Sequence, residues 1–175
     1  HANNFPDGIY FVPLASLTSA THIALAISNA LDIHLSDKGT LDEQLINYLQ
    51  DRQLLLVLDN FEHVMDGANL ISNLLDVAEH NKVLITSRER LHLPVEHVFN
   101  VSGMRIPETE QVNHVEDFDA LVLFQQIAEK VDWRFQITDE QKPYVVRICQ
   151  LVEGMPLAIE LAAAWGRVLS CETIQ

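Results

Sequence analysis

Five large aliphatic residues in succession, Leu54 to Leu58, are closed by Asp59 and Asn60. A run this short and this uniformly apolar fits a β-strand buried on both faces, as the strands of a helix-covered parallel sheet are. Ile9 to Leu14 (IYFVPL) and Val83 to Thr86 (VLIT) repeat the pattern, and Val98 to Val101 (VFNV), after the break at Pro94, reads as one more strand. Between these runs apolar residues recur at helical spacing: Ala20, Ile23, Ala24, Ile27 and Leu31 behind Thr18 or Ser19 as N-cap, then Leu41, Leu45 and Leu49, then Val64, Ala68, Ile71, Leu75 and Ala78. Thr40 and Glu43 make a T-x-x-E capping box, in which each side chain satisfies an orphan amide, with Asp37 to Gly39 as the loop before it. Strands that alternate with helices predict a parallel α/β sheet.

After Pro107 no strand-like run recurs. Asp117 reads as the cap of a helix through Val131, with Phe118, Leu121, Val122, Ala128 and Val131 facing inward. Val145, Ile148, Cys149 and Val152 stripe a second helix; Gly154 ends it and Pro156 starts a third. The expected division is an α/β part over residues 1–106 and a small all-helical part over 107–175.

A composition of 48% hydrophobic and 21% charged residues is that of a folded chain with a real core. The net charge of −14 would repel a phosphate backbone, so direct nucleic-acid contact by this segment is not expected. No apolar run approaches the ~18–20 residues of a membrane span. Two cysteines, Cys149 and Cys171, make no disulfide framework, and Cys149 falls in an apolar stripe as core packing, so a reducing cytoplasm is expected. The opening residues from His1 show neither a start methionine nor a signal peptide, and we expect an interior piece of a longer chain.

Three features could carry chemistry. Asp59 ends a buried strand where open α/β sheets bind ligands, and a carboxylate there can hold Mg²⁺ through water; read alone, it equally suits a turn or a helix cap. Thr86, Ser87 and Arg88 leave the end of another strand, where the guanidinium could meet a terminal phosphate or pair with a surface acid such as Glu89. Gly154 to Ala164 (GMPLAIELAAA) fits a helix stop, a helix start and a closely packed Ala-rich helix. The eight histidines suggest no metal site: the H-x-x-x-E-H of His92 to His97 contains Pro94, which prevents the helix a zinc pair would need. His63 reads as a solvated helix-terminal residue, and Trp133 and Trp165 as core or inter-helix packing. Hydrolase and dinucleotide readings lack their G-x-S-x-G and G-x-G-x-x-G supports.

In this order and spacing, LLLVLDN, VLITSRERLHL and ICQLVEGMPLAIELAAA resemble the STAND class of signal-transduction ATPases, related to the NB-ARC domain, in the form found in bacterial multidomain transcriptional regulators. The resemblance runs from Asp7 over nearly all of the chain. It implies a parallel-sheet P-loop NTPase core, incomplete because its first strand is missing, followed by a helical lid. Asp59 then matches the Walker B aspartate that positions Mg²⁺, with Asn60 where a more active ATPase tends to have a second acid. Arg88 matches the first sensor of the γ-phosphate, with Thr86 and Ser87 beside it, and Gly154 and Pro156 match the GxP motif on the adenine side of ATP or ADP. In such a core the missing strand would separate Val83–Thr86 from Val98–Val101, which should flank a gap.

The sequence has no G-x-x-x-x-G-K-[ST] phosphate loop; Lys38-Gly39-Thr40 has the wrong order. We therefore expect the ATP/ADP and Mg²⁺ of a parent protein, a slow ATPase at most, to be held poorly or not at all by these 175 residues, and no turnover from them. The expected partners are output and sensor domains of the same longer chain, with self-association possible. The alternative is a non-catalytic interaction scaffold that keeps the ATPase fold.

Overall fold

The computed structural model describes residues 4–34, 36, 39–110, 112–166 and 171–174. Asp37 and Lys38, in the loop expected before Thr40, lie outside the described residues. The chain divides into two compact units, His1–Val98 and Phe99–Gln175.

In the first unit β1 (Ile9–Pro13), β2 (Leu55–Asp59) and β3 (Lys82–Ile85) form one parallel sheet in that order. The connections carry α1 (Ile23–Ala30), α2 (Leu41–Leu49) and α3 (Ala68–Val77). Ser19 caps the 3-10 turn that leads into α1, its hydroxyl accepting from the Thr21 N–H at 3.3 Å. The capping box of α2 closes in both directions, Glu43 N–H to Thr40 Oγ1 and Thr40 N–H to Glu43 Oε2, each at 3.2 Å. Leu45 and Leu49 are buried as the spacing predicts, whereas Leu41, in the first turn, is exposed.

Strand side chains alternate between faces. Val12, Leu56 and Leu58 are fully covered, with Tyr10, Val83 and Ile85 packed against the same core, to which Ile23 and Ile27 of α1 and Ile71 and Leu74 of α3 contribute. On the opposite face the register aligns Phe11, Val57 and Leu84 in one row and Ile9, Leu55 and Lys82 in the next. There Ile9, Phe11 and Leu84 are exposed and Leu55 and Val57 half-buried. The expectation that Leu54–Leu58 is buried on both faces is thus corrected: the helices of this unit cover one face only.

Buried Asn81, which periodicity does not single out, pins three elements together. Its Oδ1 accepts from the Leu54 N–H at 3.2 Å and its Nδ2 donates to the Leu49 carbonyl at 2.8 Å. It thereby satisfies backbone groups that α2 and β2 would otherwise bury unpaired.

The fourth strand is also corrected. Val98–Val101 joins no ladder, and Phe99 and Val101 are each 87% exposed. A β-prone run becomes a strand only when a neighbouring edge takes its backbone groups. Among the described residues β3 pairs with β2 alone, so two strands flanking a gap do not form.

The second unit holds α4 (Asp119–Val131), α5 (Lys142–Leu151), α6 (Pro156–Trp165) and the short α7 (Cys171–Ile174). Leu121, Phe124 and Ala128, Val145, Ile148 and Cys149, and Ile159 and Ala163 make its core. Asp117 closes a 3-10 turn instead of capping α4, whose N-cap position falls on Phe118, and Val131 at the far end is exposed. Both tryptophans depart from expectation: Trp133 is 84% exposed, and Trp165 lies outside the core as well. Trp165 follows Leu157 and Leu161 at intervals of four on the solvent side of α6, while Ile159 and Ala163 turn inward.

Candidate functional site at the ends of two strands

Because β2 and β3 are parallel neighbours, their carboxyl ends lie side by side, which places Asp59 next to Thr86. Thr86 joins the two ends with every polar group it has. Its N–H donates to the Leu58 carbonyl at 3.0 Å and its hydroxyl to Asp59 Oδ1 at 2.6 Å. In turn its Oγ1 accepts from the Asn60 N–H at 3.0 Å, and its carbonyl accepts from the Phe61 N–H at 3.0 Å. The Leu14 N–H donates to the Asp59 carbonyl at 2.9 Å and brings in the end of β1. Asp59 keeps its second carboxylate oxygen without a hydrogen-bond partner among the described residues.

Asn60 takes a left-handed conformation, φ 63° and ψ 50°, which short polar side chains tolerate better than others. It turns the chain sharply off the sheet, and buried Phe61 anchors the 3-10 segment Phe61–Gly67 that follows. The helix expected from Val64 is therefore broken: Val64 itself is non-helical at φ −138° and ψ 38°, and α3 begins at Ala68. His63 is exposed, as expected.

The turn delivers a residue that the sequence reading missed. Glu62 is only 14% exposed at its side chain, and its Oε1 lies 3.5 Å from Arg88 Nε and 3.5 Å from Asn60 Nδ2. Its own backbone N–H holds the carboxyl below the usual range, helped by Asn60, His63 and Arg88 and opposed by burial. Arg88 is thus paired with Glu62 and not with Glu89, while Ser87 Oγ accepts from the Glu89 N–H at 3.2 Å. The structure brings Asp59, Asn60, Thr86 and Arg88 to one end of the sheet, with Ser87 beside them.

Gly154 and Pro156 belong to the second unit. Gly154, at φ 68°, follows Glu153 at φ 53° and donates its N–H to the Cys149 carbonyl at 2.9 Å, so α5 ends as the sequence predicts. Pro156 is exposed at the start of α6. A backbone bond from the Met104 N–H to the Gly154 carbonyl, 2.8 Å, ties residues 99–106 to this loop. The approach is close: a Cβ on Gly154 would strike the Met104 carbonyl, and one on Gly103 the Glu153 carbonyl.

No family model matches the chain. It is 32% identical over 170 residues, 97% of its length, to proteins of Mycobacterium tuberculosis and Mycobacterium bovis provisionally named HTH-type transcriptional regulators. An uncharacterized protein of Mycobacterium tuberculosis matches at the same 32% over the same 97% of the chain. The chain spans 18% of the length of those regulators and 41% of the uncharacterized protein. Among the described residues no helix is long and apolar enough to cross a membrane, and no group of three or more His, Cys, Asp or Glu could hold a metal ion.

Proposed function

We propose that this chain supplies the Mg²⁺-side and sensor elements of an ATP/ADP-dependent switch in a longer transcriptional regulator, in a P-loop NTPase core of the STAND class. The observation that carries the reading is the Thr86 hydroxyl on Asp59 Oδ1, 2.6 Å long, at the carboxyl ends of adjacent parallel strands with Arg88 beside it. Ligands of open α/β sheets bind at such ends. The similarity to proteins named as regulators supports a regulatory role.

The residues fit a magnesium ion that is held mainly by something else. Asp59 offers one free carboxylate oxygen, and the described residues form no acidic cluster around it. Mg²⁺ commonly takes one or two carboxylates and completes its shell with water and substrate phosphates. When bound, it would screen phosphate charge. Thr86 keeps the Asp59 carboxylate in one orientation, Asn60 begins the turn behind it, and Arg88 offers N–H donors to a terminal phosphate. Gly154 and Pro156 would meet the adenine side, as the resemblance implies. A nucleotide moves such a switch only by binding one arrangement of the chain better than another. Output and sensor domains of the same chain would receive that change, and the net charge of −14 leaves DNA contact to them.

Calorimetric titration tests this. The 175 residues should show no ADP binding at micromolar concentration, whereas a longer chain that adds a G-x-x-x-x-G-K-[ST] segment should bind ADP with a Mg²⁺ dependence that Asp59→Ala removes. An unchanged Mg²⁺ dependence in the Asp59→Ala variant overturns the assignment. The lack of that motif in these residues favours a second reading, an interaction scaffold that retains the fold, and a longer chain without the motif and without ADP binding would establish it.

A further inference from the structure

Glu62 has no part in the switch as described, yet its placement is costly. Its Oε2 is buried with no hydrogen-bond partner, while its Oε1 takes the Nε side of Arg88 at 3.5 Å. A buried, unpaired carboxylate oxygen persists only where the surrounding structure fixes it. Here the fixing is visible: Thr86 holds the backbone of Asn60 and Phe61, left-handed Asn60 sets the turn, and the Asn60 amide reaches Glu62 Oε1. Arg88, by contrast, is 89% exposed and has only this carboxylate to orient it among the described residues. A guanidinium carries five N–H donors in a planar fork. With Nε directed at Glu62, both Nη groups remain free, and they form the edge that grips an oxyanion in bidentate fashion.

We propose that Glu62 is the positioning residue for Arg88, holding the Nε side of the guanidinium so that its Nη edge faces a phosphate at the ends of β2 and β3. The purpose rests on Arg88 as the phosphate sensor proposed above; the hold itself does not. Thr86 thus sets the turn, the turn sets Glu62, and Glu62 sets Arg88.

Arginine side-chain NMR on the 175-residue chain separates the two claims. Without ligand, the Arg88 Nε–H should exchange about fivefold more slowly than that of neighbouring Arg90. Glu62→Ala should abolish the difference, and Glu62→Gln, which keeps the shape and an acceptor oxygen, should retain part of it. Inorganic pyrophosphate with Mg²⁺ should then move the Arg88 Nη signals and leave its Nε–H slow. Equal exchange at Arg88 and Arg90, no effect of either substitution, or release of the Nε–H by pyrophosphate would each overturn the positioning role. Slow Nε–H exchange lost in Glu62→Ala, with no response to pyrophosphate, supports the hold and instead removes Arg88 as a phosphate sensor.

Discussion

A single threonine decides the geometry of the strand ends, because its N–H, hydroxyl and carbonyl are all spent on the last residues of β2. In the sequence Thr86 stands only beside Arg88, and its role needs the register of two parallel strands, which composition does not carry. Asp59 and Arg88 were legible because a polar residue closing a buried run must emerge at the sheet's edge. Glu62 was not, since its place depends on the φ of Asn60 and a 3-10 turn that no hydrophobic period encodes. Cys149 is a contrasting case, read correctly as packing. It is buried, its thiol donates to the Ala120 carbonyl at 3.8 Å, and burial pushes its pKa up to about 12 from the model value of 9.0. Native protein at pH about 8 should therefore leave Cys149 unlabelled by iodoacetamide until unfolded, as measured by mass spectrometry. The linkage has a definite sign. The unfolded thiol ionises first, so this contribution to stability is intact below pH 9.0 and is lost as pH rises towards about 12. A Cys149→Ala variant should show a shallower alkaline decline in denaturant midpoint.

At the scale of elements, periodicity located the three strands and the helices but left open which faces would be covered. The alternation of β2 is the clearest example: LLLVL is apolar throughout, so its two faces look alike until the helices choose one. Val98–Val101 failed for a related reason, since β propensity without a partner edge makes no strand. The end of α5 could be read because a left-handed glycine has a specific signature. Gly154 also meets a backbone carbonyl where a Cβ would sit, a constraint from non-local packing against Met104. Gly154→Ala should accordingly destabilise the second unit by more than about 1 kcal/mol, from the left-handed φ and the collision together. Urea denaturation followed by circular dichroism measures it, and an unchanged midpoint would show that residues 103–104 yield without cost.

For the molecule as a whole, the decisive feature is that the two cores share no residue. The buried cluster of the first unit runs from Val12 to Ala78, with packed neighbours to Leu93, and that of the second from Val112 to Cys171, with Met104 and Ile106 against it. A change of pattern from strand–helix alternation to helices alone was visible in the sequence. The allegiance of residues 99–106 was not, because it rests on the Met104–Gly154 backbone pair, which joins positions far apart in the chain. Cores built separately should lose stability separately. Phe124, fully buried and 6.3 Å from Phe135 between ring centres, sits at the middle of the second core. Truncating a buried phenylalanine to alanine costs about 3–5 kcal/mol through lost burial and the cavity left behind. Phe124→Ala should therefore accelerate amide hydrogen exchange across α4, α5 and α6, while Leu56, Leu58 and the rest of the parallel sheet keep their protection. Equal loss of protection in both units would mean that they unfold as one, and that a ligand felt by either is felt by the whole chain.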